Sequence, residues 1–280
     1  MTTHNTHTIR NLVIFTALVI ILGWLGYGLG AMGGTADSQG LGMLIWLVSP
    51  LVACVGLRLF GGDGWQDLGL KPAFKGNGLG YALSVLIYPL ATLVILLLGA
   101  IFGSVTFDFG GDKAAAFVPA LLGALVFNFI KNILEEFGWR GYLTPKLAKL
   151  GLPAIRAHLI VGLIWALWHL PYYLGLLSAA EMEAYTSLSL GVFLPFTLVG
   201  IVAASIAFGE IRLLTGSVWP AVLLHAVSNA VILTVLTGGY AIVSPGAELV
   251  FTPGMHGILS VVIIVAVGLW LYRRRTGKAA

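Results

Sequence analysis

Asn132-Ile133-Leu134-Glu135-Glu136-Phe137-Gly138-Trp139-Arg140-Gly141 closes a largely apolar run that begins at Phe117. A run of that length is a membrane-spanning helix, which needs about 20 mostly apolar residues. The chain has only 11 acidic residues, and two of them stand side by side at the end of this run. A charge at bilayer depth costs about 2.5–3.5 kcal/mol on insertion scales, so acids placed there mark function by default. Arg140 follows Glu136 by four residues, the spacing at which helical side chains pair. Glu135 projects about 100° away around the helix and is expected to lack a local partner. That free carboxylate is the residue expected to do chemistry.

Outward from this stretch, the composition agrees. Of 280 residues, 59% are hydrophobic and 9% charged, whereas a soluble domain carries about 25% charged residues. The expectation is an all-α, polytopic membrane helix bundle. A single cysteine, Cys54, excludes a disulfide framework and a thiolate metal site. The 37 glycines suit closely packed membrane helices. No cleavable signal peptide is expected, because the apolar run after Met1 to Arg10 is long enough to span and shows no clear cleavage site.

Eight spans fit: 11–30, 41–60, 79–102, one from 117 carrying the acid pair, 157–176, 191–214, 218–236 and 257–272. They make one membrane domain, 1–280, with the polar motifs confined to 117–236. In an eight-span chain Arg10, Arg58, Lys71, Lys75, Lys146, Lys149, Arg156, Arg212, Arg273, Arg274, Arg275 and Lys278 share one side. The other side holds Lys113 with Asp37, Asp108, Asp112, Glu181, Glu183 and Glu248. The positive-inside rule makes the basic side cytoplasmic and puts both termini there. That distribution accounts for the +4 net charge without nucleic acid as a partner. The connection 61–77 mixes Trp65, Leu68, Leu70 and Phe74 with Asp63, Asp67, Lys71 and Lys75. It reads equally as a short interfacial segment or a plain loop, with no chemistry assigned.

Two further spans carry polar residues where a membrane disfavours them. Trp165-Ala166-Leu167-Trp168-His169-Leu170-Pro171 puts His169 in mid-span, Trp165 one turn before it on the same face, and a proline that bends the helix just beyond. His225-Ala226-Val227-Ser228-Asn229 puts His225 and Asn229 on one face of another helix. At 1.5 Å per residue, Glu135 lies roughly 16 Å from Lys146, His169 roughly 20 Å from Arg156, and His225 roughly 12 Å from Ser217. Common depth on three helices predicts one polar chamber. Asn128 and Lys131 lie on roughly the face of Glu135 and either line the chamber or bond a neighbour. His4, His7, His158 and His256 are expected outside it, with Glu210 and Arg212 at a cytoplasmic helix end.

The three groups resemble the motifs of the CPBP family of intramembrane proteases, known by the older name Abi. That family includes the type II CAAX prenyl endopeptidases and bacteriocin-processing relatives. Its motifs are Glu-Glu-x-x-x-Arg, Phe-x-x-x-His and His-x-x-x-Asn or Asp. Here they read Glu135-Glu136-Phe137-Gly138-Trp139-Arg140, Trp165-Ala166-Leu167-Trp168-His169 and His225-Ala226-Val227-Ser228-Asn229, with Trp165 replacing the usual Phe. The resemblance implies an endopeptidase working near the cytoplasmic side of the bilayer. Glu135 and His169 would activate water, His225 and Asn229 would donate to the oxyanion, and Glu136 with Arg140 would orient the helix end. The family is called a metalloprotease family, and His169, His225 and Glu135 could hold zinc; a metal-free mechanism fits equally. The implied substrate is a peptide or membrane protein, with or without a lipid anchor. A proton-coupled secondary transporter is the rival reading, although no paired halves with matching broken spans are visible. A non-catalytic scaffold or immunity protein is the other, and the filled motif positions speak against it.

Overall fold

The computed structural model describes residues 3–32 and 40–277. Asp37, Lys278 and the side chain of His4 lie outside the described residues. The long helices are α1 (Thr3–Met32), α2 (Leu41–Leu59), α3 (Gly78–Ile101), α4 (Lys113–Gly138), α6 (Ala154–Pro171), α8 (Leu190–Thr215), α9 (Trp219–Thr237) and α11 (Ile258–Gly277). Shorter helices are α5 (Thr144–Lys149), α7 (Ala179–Tyr185) and α10 (Glu248–Phe251). Strands β1 (Val105–Phe107) and β2 (Ala241–Val243) pair antiparallel, Val105 opposite Val243. Lys113 binds Asp108 at 2.6 Å beside that ribbon. The architecture is the expected membrane helix bundle.

Among the described residues, seven helices are long and apolar enough to cross a membrane. The expected eighth span is α11, a 20-residue helix packed on α8 and α3. Its apolar part ends at Tyr272 before three arginines, which leaves it short of the 18 or so residues read as a span.

Apolar helices in lipid gain nothing from hydrophobic burial against one another, so close packing at small residues holds them. Two glycines set the helices that matter most. A Cβ at Gly138 would stand 2.6 Å from Pro50 Cβ, which seats the end of α4 on α2. One at Gly162 would stand 2.8 Å from Val202 Cα, which presses α6 onto α8. Helix α4 also packs along α9, while Val118, Leu122, Val126, Phe127 and Ile130 remain exposed on its other face.

Two π-turns interrupt the bundle. Trp139–Leu143 follows α4 directly, and all five residues are buried. Its carbonyls are taken by guanidinium groups from elsewhere: Arg212 Nε donates to Arg140 O at 3.0 Å and Arg58 Nη2 to Gly141 O at 2.7 Å. The second, Tyr172–Leu176, follows α6. The bend expected just past His169 falls later, at Gly175, because α6 runs on through Pro171 and a π-turn extends it.

The connection 61–77 is an irregular and largely exposed loop that is tied down at its two aspartates. Asp63 accepts from Tyr142 Oη at 2.6 Å and Asn11 Nδ2 at 3.0 Å, and pairs with Lys146 at 2.9 Å. Asp67 pairs with Arg58 at 2.7 Å, Lys149 at 2.8 Å and Lys146 at 3.2 Å. Burial pushes the Asp67 carboxyl up, but Lys149 and Arg58 donate to it and hold it down to about 2. Arg212 adds a bond to Asp67 O. Four basic residues assigned to one face thus converge on this segment and tie it beneath α4. Glu210 and Arg212, expected at a plain helix end, are buried. Glu210 accepts from His158 Nε2 at 2.9 Å and from Arg275 at 2.6 and 2.9 Å.

Candidate active site

The last turn of α4 delivers both carboxylates inward, Glu135 1% and Glu136 0% exposed. Glu136 Oε1 accepts from Arg140 Nη1 at 2.9 Å, the expected pairing one turn on. The same oxygen accepts from His225 Nδ1 on α9, also at 2.9 Å. A carboxylate can only accept, so His225 carries its proton on Nδ1 and turns Nε2 away from Glu136. Among the described residues, Glu136 Oε2 and Arg140 Nε and Nη2 have no hydrogen-bond partner. The guanidinium lies instead between two rings, 4.3 Å from the centroid of Trp165 and 4.6 Å from that of Phe208. Aromatic faces attract a cation, most strongly where water is absent.

Glu135 is not alone, contrary to the expectation from the helix. Lys131 Nζ stands 3.6 Å from its Oε1, one turn back. Trp165 Nε1 on α6 donates to its Oε2 at 3.3 Å. One partner comes from a turn behind on α4, and the indole arrives from another helix.

His169 lies on the same face of α6 as Trp165. Its Nδ1 is 2.9 Å from the carbonyl of Trp165. A carbonyl likewise only accepts, so His169 donates from Nδ1 and keeps the Nε2 lone pair free. Its ring packs edge-on to Trp168 at 4.8 Å and stacks on Tyr173 at 5.9 Å. Trp165 touches both histidines, with ring centroids 5.8 Å from His169 and 5.4 Å from His225. The structure therefore joins α4, α6 and α9 around one indole.

Asn229 is half-buried one turn beyond His225 and makes no hydrogen bond to the described residues. The His225 nitrogen that does bond is engaged by Glu136, so the two are not coupled directly. Asn128 bonds back to Ala124 O within α4 at 2.8 Å. Asn132, fully buried one turn before Glu136, has neither amide atom paired among the described residues. Sequence reasoning passed over it because an asparagine in a membrane helix usually finds a neighbour. His158 sits apart with Glu210, and His256 is buried against Tyr185 and Phe193.

The expected zinc set is not assembled. Among the described residues no three His, Cys, Asp or Glu side chains are grouped to hold a metal ion. Each histidine donates from Nδ1 to the protein and leaves Nε2 free, as a metal-ligating imidazole does, but Glu135 is turned to Lys131 and Trp165. His169, His225 and Glu135 as arranged do not fit a three-ligand site.

The arrangement holds two carboxylates in different surroundings. It also holds one imidazole with a free lone pair, one backed by a carboxylate, and an uncommitted amide. Such sets divide acid, base and charge-stabilising roles. Residues 117–231, which contain all of them, match the family model described as Type II CAAX prenyl endopeptidase Rce1-like. None of the curated proteins compared matches the chain. That match makes the stretch similar to the CAAX-protease-like proteins the model describes, over less than half of the 280 residues.

Proposed function

We propose that this multi-pass membrane protein, whose 117–231 stretch is similar to CAAX proteases, is an endopeptidase that hydrolyses a peptide bond within the bilayer. The observation that carries the reading is the convergence of three helices on two buried carboxylates, made by Glu136 to His225 and by Trp165 to Glu135. Glu135 is the general base. It takes a proton from water as the water oxygen bonds to the scissile carbonyl carbon, and returns it to the amine as the C–N bond breaks. His169 accepts from the water through Nε2 and holds it against the carbonyl.

The oxyanion that forms needs donors placed in advance. Asn229 offers an uncommitted amide. His225, supported by Glu136 on Nδ1, can carry a second proton on Nε2 and donate it toward the same oxygen. This is the logic by which a carboxylate stabilises an imidazolium. Arg140 fixes Glu136 and does not meet substrate. No step in this scheme passes through a metal.

The substrate class is a peptide segment presented from the membrane, including lipid-anchored tails of the Cys-a-a-X kind. We place the basic face, and both termini, in the cytoplasm. Cysteine labelling at Ser178, in a background lacking Cys54, checks that: an impermeant reagent added from outside should label it, and labelling only after opening the cytoplasm reverses the orientation. The function itself is tested by mass spectrometry of new peptide ends in membranes carrying the wild-type protein or Glu135→Gln. Ends present with the first and missing with the second support the reading; identical sets refute it.

A further inference from the structure

We propose that Trp165 is a positioning residue for the reaction: its indole N–H, reaching across from α6, clamps the Glu135 carboxylate that would otherwise be steered by Lys131 alone. The proposal rests on Glu135 being the base. Trp165 is 1% exposed and buried on every side. Its ring is set by Phe208 at 5.6 Å and His225 at 5.4 Å between centroids, with the Arg140 guanidinium on its face. A ring held on those sides has no room to turn. An indole nitrogen is only a donor, and the acceptor it meets is Glu135 Oε2 at 3.3 Å.

The other holder differs in kind. The Lys131 side chain is 25% exposed and stands 3.6 Å from Oε1. It is a long flexible stem carrying a point charge, so it sets charge and leaves orientation loose. Trp165 sets orientation. Its backbone carbonyl also receives His169 Nδ1, so one residue aims both the base and the imidazole that would hold the water. A base displaced by as little as 1 Å can lose about 10²-fold in rate, which gives such a clamp its value. Phenylalanine at 165 would keep the ring contacts and lose the donor.

The test uses the full-length protein in detergent or nanodiscs. Nitrogen-labelled indoles give one NMR resonance for each of the 8 tryptophans, and Trp165→Phe identifies the one that matters by its disappearance. Glu135→Gln should move that resonance strongly, since a neutral amide replaces a charged acceptor. Trp165→Phe should keep the melting temperature within a few degrees, lower kcat roughly 10- to 100-fold and leave KM unchanged. A resonance that stays in place in Glu135→Gln overturns the clamp, whatever the activity. So does a Trp165→Phe enzyme with wild-type kcat. If the resonance moves but Glu135→Gln still turns over, the contact is structural, and both the positioning role and the assignment of the base fall. Trp165→Ala serves as a control, expected to lower the melting temperature because it also unseats Arg140.

Discussion

The molecule contains two buried His–Glu–Arg groups built from the same parts, and they differ in how completely those parts are used. In His158–Glu210–Arg275 the arginine grips both carboxylate oxygens, at 2.6 and 2.9 Å, and the histidine shares one of them at 2.9 Å. The Arg275 side chain is 26% exposed, so water completes its solvation. In His225–Glu136–Arg140 a single oxygen serves both partners, and among the described residues the second carboxylate oxygen and two guanidinium nitrogens have no partner, against one unpaired atom, His158 Nδ1, in the first group. Every member of the second group is at most 5% exposed. Unmade hydrogen bonds in a buried group are expensive, and proteins rarely retain them without use. The first group fastens α6, α8 and α11 at the basic end. The second leaves that polar capacity unused at the junction of α4 and α9.

Breaking the second group should have the largest effect. Glu136→Gln strands Arg140 in an apolar surround, and removing one member of a buried pair costs about 3–5 kcal/mol. Thermal unfolding in detergent should show a large drop in melting temperature, and His225 should lose its support, so turnover should fail in the protein that remains folded. A variant that melts and cleaves like wild type would erase the contrast between the two groups.

Asn229→Ala sharpens the comparison from the side of chemistry. Its amide makes no structural bond, so stability should be unchanged while turnover falls about 10²–10³-fold, the range for losing an oxyanion donor. Parallel melting curves and initial rates separate the two. Equal rates would remove Asn229 from the reaction.

Glu210→Gln should have the smallest effect on activity. It weakens charge-assisted bonds worth about 1.5–3 kcal/mol, part of which water restores at the exposed Arg275. A lower melting temperature with turnover within about twofold of wild type is expected. Turnover lost in proportion to Glu136→Gln would mean that both groups belong to one functional unit.

What could be read from the chain was set by what lies along one helix. The bundle follows from apolar run lengths, and the Glu136–Arg140 pair from four-residue spacing. The shared depth of Glu135, His169 and His225 foretold that three helices meet. Their partners across helices were not legible, because rotation of one helix against another leaves no trace in spacing. His225 shares a face of α9 with Asn229, and its bond goes to Glu136, 89 residues away. The knot at Asp63 and Asp67 was not legible for the same reason, its partners lying as far as 145 residues on at Arg212. Spacing puts Lys131 one turn behind Glu135 but leaves open whether it lines the chamber or bonds a neighbour, and its ion pair with Glu135 at 3.6 Å decides it. The departure of Trp165 from phenylalanine was the one sequence signal of the indole contact, and only the orientation of α6 gives it meaning.

The most direct test of the account is cleavage of a peptide found by the membrane comparison, carried out by purified protein in water labelled with heavy oxygen. Attack by a water activated at Glu135 predicts one heavy oxygen in the new C-terminal carboxylate with wild-type protein and no product with Glu135→Gln. Product formed by Glu135→Gln at a comparable rate, or wild-type product without the label, would contradict it.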